Sequence, residues 1–169
     1  MPNVTFNDYS MEVKAALNDA TIAWLHTWAS EIESQAKRNC KMATEGDALG
    51  IQLKGSYSHT VDESKGEAVI GSPLEAVYWE EFGTGEHAAH GDGRKGWWVY
   101  IVGYQGNGGE TYETEDEAAA IAASLRAEGH DAHHTNGREP NYTLETAFKR
   151  AMPNAKADLE RILWEELGE

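Results

Sequence analysis

From Tyr9 to about Met42 the apolar positions Val13, Leu17, Ala20, Trp24, Trp28, Ile32 and Ala36 recur at intervals of three and four, which predicts a long amphipathic helix. Trp24, Leu25 and Trp28 make its apolar stripe wide enough to cover a sheet or a neighbouring subunit. Lys37, Arg38 and Lys41 near its far end suit the negative pole of the helix dipole. Thr44 to Gly50, with two glycines, reads as a connection. Ile51, Leu53, Tyr57, His59 and Val61 then occupy alternate positions, as in a half-buried strand. Asp62 to Gly66 is a turn, Glu67 to Ile70 a short return strand, and Gly71-Ser72-Pro73 ends the hairpin because proline cannot continue a ladder.

The next stretch, Ala76 to Gly85, changes period. As a helix it sets Tyr78 and Phe82 four residues apart on one face, widened by Trp79, and Gly83 predicts a left-handed C-terminal cap. Aromatic side chains at this spacing serve cores and interfaces alike. Gly85 to Gly96 is glycine-rich and reads as a loop. Trp97 to Tyr104 is a continuous β-rich run, Gln105 to Gly109 a turn, and Glu110 to Glu113 a partner strand. Thr114 and Glu117 form a capping box for a helix that Gly129 stops, and His130 to Thr135 adds a third strand. Leu144, Phe148, Ala151, Ala155, Leu159, Ile162 and Leu163 return to helical spacing as far as Glu166. Pro153 inside that run predicts a kink, or a break into two helices, near Met152.

The pattern therefore predicts an α+β fold: a small antiparallel sheet packed by a long N-terminal helix and a kinked C-terminal helix, with an inserted strand-strand-helix-strand unit. The scaffold is placed at residues 1–85 plus 139–169 and the inserted subdomain at 86–138.

Charge narrows the class of partner. Against 14 basic residues stand 29 acidic ones, a formal charge of −15, whereas a general nucleic-acid-binding surface needs clustered Lys and Arg. The single cysteine, Cys40, has no partner for an intramolecular disulfide and is expected as a packed thiol. No stretch approaches the roughly 20 apolar residues that span a bilayer, and no leader pattern opens the chain, so the expectation is a soluble protein made inside the cell with no membrane partner.

Recognisable catalytic signatures are missing. Gly83-x-Gly85 lacks the third glycine of a dinucleotide loop, no phosphate-binding Gly-Lys-Ser/Thr occurs, and Cys40 has no nucleophile motif, so no catalytic residue and no cofactor is assigned. Histidines form the one constellation with metal chemistry: His87 and His90, then His130, His133 and His134, with Asp92 and Asp131 nearby. Imidazoles with a carboxylate suit zinc, nickel or copper, which makes His87, His90, His133 and His134 the candidate ligands. Their spacing matches no established ligand motif, and His87-Ala88-Ala89-His90 lies in a glycine-rich loop rather than on a helix, so solvated loop histidines are the competing reading.

A family resemblance rests on other residues. The Tyr78-x-x-x-Phe82-Gly83-Thr84 segment, preceded by a strand ending Val69-Ile70-Gly71-Ser72 and followed later by an alanine-rich helix, resembles the tail-component family of long-tailed bacteriophages. Glu80-Glu81-Phe82-Gly83-Thr84 is its most specific piece, and residues 86–138 lie outside it. The resemblance implies a tail-completion or head-tail joining protein of the virion neck, made in the host cytoplasm and acting as a ring, commonly a hexamer. It also implies head-tail connector, tail terminator or tail-tube proteins as partners, and genomic DNA passing through the lumen without specific binding. On this reading Trp24, Trp28, Tyr78 and Trp79 anchor the subunit contact, with Phe82, Gly83 and Thr84 beside them. The other readings are a metal-dependent enzyme built on the histidines and a monomeric protein-binding module.

Overall fold

The structure, a computed structural model, describes residues 10–41, 48–104 and 109–167. In chain order its elements are α1 (Ser10–Asn39), α2 (Ala48–Ser56), β1 (Ser58–Asp62), β2 (Glu67–Gly71), α3 (Ala76–Phe82), β3 (Thr84–Gly85), β4 (Trp97–Ile101), β5 (Thr111–Tyr112), α4 (Glu115–Ala127), β6 (Ala132–Thr135), β7 (Gly137–Arg138) and α5 (Thr143–Leu167). The fold is α+β, with small antiparallel sheets, a long N-terminal helix and a long C-terminal helix. The chain forms two compact units, Met1–Leu74 with Thr143–Glu169, and Glu75–Tyr142. The boundaries drawn from sequence, at 85/86 and 138/139, fall inside the second unit, which takes α3, β3 and β7 with it.

In the first unit α1 packs on α5 and on the β1-β2 hairpin. Ala29, Ile32, Ala36 and Cys40 are buried along one stripe of α1 and its end, at the spacing a helix requires. On α5 the buried positions are Thr143, Ala147, Ala151 and Ala155, every fourth residue, and such small side chains let a helix approach its neighbour closely. Pro153 does not break α5 into two helices as one expectation had it: the helix continues to Leu167. Pro153 and Lys149, four residues before it, are both exposed, so the carbonyl that loses its helical donor is on the side open to solvent.

A second expectation is corrected at α2. The run that alternates from Ile51 begins as a helix, and only Ser58–Asp62 is strand, paired in register with β2 from Ser58↔Gly71 to Asp62↔Glu67. Residues 44–47 of the predicted connection, 105–108 of the predicted turn, and the two ends of the predicted first helix at Tyr9 and Met42 lie outside the described residues.

The second unit holds the three-stranded antiparallel sheet β5-β4-β6, with α4 packed against it. Thr114 caps α4 by accepting the Glu117 N–H at 3.3 Å on its hydroxyl oxygen, and Ala118 and Ala122 bury the helix face. Trp97, Val99 and Ile101 share one side of β4, while Trp98 and Tyr100 share the other, as the two-residue period of a strand demands. A separate two-stranded ladder joins β3 to β7 through Thr84↔Arg138 and Gly85↔Gly137.

Candidate functional site

The segment Glu80 to Thr84 is stitched to the returning chain at 136–142. The Asn141 and Tyr142 N–H groups donate to the Glu80 and Glu81 carbonyls at 2.9 and 3.2 Å, and the Asn141 side-chain amide donates to Glu80 Oε1 at 2.8 Å. One ladder step on, the Arg138 N–H donates to Thr84 Oγ1 at 3.1 Å, and the Glu86 N–H to the Asn136 carbonyl at 2.8 Å. Backbones can approach this closely only where side chains are absent. A Cβ on Gly83 would stand 2.6 Å from the Arg138 carbonyl oxygen, and one on Gly85 would stand 2.1 Å from that of Asn136.

Gly83 ends α3, but not in the left-handed helical conformation expected of it. Its φ of 71° goes with a ψ of −176°, an extended region that essentially only glycine enters, while its N–H still donates to the Trp79 carbonyl at 2.9 Å. The chain therefore leaves α3 straight into the β3-β7 ladder, with no further helical turn.

Anchoring one side of α3 decides what the other presents. Ala76, Glu80 and Glu81 are the buried residues of this helix, whereas Tyr78 and Trp79 remain 48% and 38% exposed. Phe82 is half-buried between Tyr78, ring centroids 5.0 Å apart, and His90, 4.8 Å away. The buried glutamates are a feature absent from the sequence pattern; Asn141, whose side chain donates to Glu80, is 61 positions downstream, and no local pattern signals it.

Trp24 and Trp28 are placed differently. The Trp24 indole N–H donates to the Ala155 carbonyl at 2.8 Å, and that of Trp28 to Asp158 Oδ2 at 3.1 Å, so both half-buried side chains are engaged with α5 of their own chain.

The four candidate metal ligands have separate partners. His87 meets Glu139 at 2.7 Å through Nδ1, and His90 lies against Phe82. His133 meets Asp131 at 2.9 Å and stacks on Tyr100, whereas His134 reaches Glu115 at 3.5 Å beside Trp97. As successive residues of β6, His133 and His134 point to opposite faces of the sheet. Among the described residues no group of three or more His, Cys, Asp or Glu side chains is gathered for a metal ion.

The core and the surface differ in an unusual direction. Of the thirteen buried hydrophobic residues among those described, nine are alanines, and only Leu53 and Tyr57 are large and wholly enclosed apolar side chains. Meanwhile Tyr78, Trp79, Tyr100, Val102, Phe148 and Trp164 stand among the exposed ones. Single exposed apolar residues are ordinary, and most other large apolar side chains, Trp24, Trp28, Trp97 and Trp98 among them, are half-buried, so among the described residues alanine dominates the fully buried positions while apolar bulk lies at or near the surface. Comparison with family models, with curated proteins and with solved structures yields no match for this chain.

Proposed function

We propose that the chain is a non-enzymatic structural protein of a bacteriophage neck or tail. It completes the tail and joins it to the head as an oligomeric ring, sixfold in its commonest form, through which genomic DNA passes. One observation carries this reading: the fully buried positions are mostly alanines while large apolar side chains stand half-buried or exposed, the distribution of a subunit whose remaining burial is supplied by neighbours. The Tyr-x-x-x-Phe-Gly-Thr resemblance says what kind of assembly. Tyr78 and Trp79, held outward by a helix anchored on its other side, are the subunit anchors, with Phe82, Gly83 and Thr84 keeping α3 in place.

The charge of −15 fits a passage for DNA, because a lumen that repels phosphate lets the duplex slide where a basic one would grip it. Head-tail connector, tail terminator or tail-tube proteins are the neighbours, and the virion is the final location. Light scattering on the purified chain, alone and mixed with connector and tail-tube proteins, tests the reading. A mass several times 18.6 kDa is expected. A chain that stays at that mass under every condition is not a ring subunit.

A further inference from the structure

In the second unit β5 pairs with β4 on one side and, among the described residues, with no strand on the other, so the sheet ends there in unpaired backbone groups. Beside this edge an open groove runs between β5 and α4, lined by Thr111, Tyr112, Glu113, Glu117, Ala120 and Ile121. Its floor is apolar, with Ile121 exposed, and its rim carries the exposed carboxylates of Glu113 and Glu117 without a cation among the lining residues. The nearby Arg94 approaches over Trp98, on the opposite face of the sheet, where its guanidinium donates to the Thr111 hydroxyl oxygen and the Gly109 carbonyl.

We infer that this edge and groove take an extended cationic segment of a different protein, which adds to the sheet as a further strand. An incoming strand places alternate side chains over the groove, so one apolar residue meets Tyr112 and Ile121 while lysines or arginines two positions to either side meet Glu113 and Glu117. Main-chain hydrogen bonds to β5 supply affinity, and the carboxylate rim selects the charge. A second copy of the chain is the disfavoured occupant, because no described strand of this chain alternates lysine or arginine about an apolar residue. The inference rests on the assembly reading, in that the segment belongs to a neighbouring component of the same particle.

The probe is the capped peptide acetyl-Thr-Lys-Thr-Ile-Thr-Lys-Thr-amide, titrated into the full chain and followed by amide NMR shifts. Saturable shifts at Thr111 to Glu113 and at Ile121 are expected, weakened about tenfold or more by the surface pair Glu113→Gln with Glu117→Gln. A peptide with glutamate for lysine should not bind, and one N-methylated beside the isoleucine should bind more weakly. Absent shifts at those residues, equal binding by the glutamate peptide, or unchanged affinity in the double variant with its native spectrum retained would each overturn the inference. Any of these with a ring mass retained removes this site alone, whereas a monomeric mass removes the assembly reading.

Discussion

The indole N–H of Trp28 donates to Asp158 Oδ2 at 3.1 Å, joining the middle of α1 to α5 across 130 residues of sequence. One turn earlier on α1, Trp24 makes the corresponding bond to the Ala155 carbonyl. Wide aromatic stripes suit either a core or an interface, and these bonds commit both side chains to the chain's own helix pair. In the proposed assembly the subunit contact is therefore assigned chiefly to Tyr78 and Trp79.

Removing the Trp24 donor while keeping an aromatic side chain, as in Trp24→Phe, should cost about 1 kcal/mol of stability and lower Tm by several degrees. Trp28→Phe should act in the same direction. Neither should change the assembly state of the folded protein. Calorimetry beside scattering on the same samples checks both halves, and a loss of mass with no change in Tm would return these two tryptophans to the interface.

Tyr78→Ser and Trp79→Ser make the opposite pair. Both side chains stand out from α3, so their loss should leave Tm nearly unchanged while weakening association by about 2 kcal/mol each, on the order of thirtyfold in affinity. Sedimentation across a dilution series would show the ring dissociating at higher concentration. Unchanged sedimentation in the double variant would move the contact elsewhere on the surface.

Acid should loosen the first unit. Lys37, one turn on along α1, and then His59 hold the Glu33 carboxyl below its ordinary value of 4.5, with both contacts at 2.5 Å, and the His59 contact ties α1 to β1. Because the folded pKa is the lower one, this contribution is complete above the unfolded value and disappears as pH falls through the folded one. Arg161, and then Trp28, lower Asp158 in the same sense. Glu33 is partly exposed to solvent, so its share stays below about 1 kcal/mol. Glu33→Gln should therefore be slightly less stable at neutral pH and lose less stability between about pH 5 and pH 2. Urea midpoints measured across that range would show whether the two curves converge in acid.

Where sequence reading succeeded and failed follows from the range of the interactions involved. The strand-strand-helix-strand order of β4, β5, α4 and β6 is legible because each is set locally, by the Thr114 cap, the Gly129 stop and the β-rich Trp97 run, whereas the β3-β7 ladder, which pairs residues more than 50 positions apart, carries no local signal. The α2 error has a physical cause. Alternation counted Ile51 as inward, yet the buried residues are Gly50, Leu53 and Tyr57, at the spacing of a helix and its end, while Ile51 is 60% exposed. The outward placement of Tyr78 was not legible from periodicity, which finds the aromatic face of α3 but not which face is buried. That choice is made by Asn141 and Tyr142, whose N–H groups donate to the Glu80 and Glu81 carbonyls. For the same reason the histidine groups were seen as neighbours in composition, although each has its own carboxylate or aromatic partner.

The close backbone contact beneath α3 can be separated from ordinary dihedral strain by comparing two glycines. Gly66 in the β1-β2 turn and Gly85 in β3 have nearly the same φ, 66° and 61°, so an added side chain suffers similar conformational strain at both, roughly 1–2 kcal/mol. Their surroundings differ. A Cβ on Gly66 meets nothing within 4 Å, whereas one on Gly85 would press on the Asn136 carbonyl oxygen, the Gly137 Cα and the Trp98 indole. Two of those three are backbone atoms held in the β3-β7 ladder, so relief requires opening the seam that holds Thr84 to Arg138. Gly66→Ala should therefore unfold in urea only slightly early, and Gly85→Ala should lose more than about 3 kcal/mol. Gly85→Ala should also lose assembly, because α3 would no longer be fixed with Tyr78 and Trp79 outward. Equal losses at the two positions would mean that the seam yields easily, and the rigid presentation of the two aromatics would fall with it.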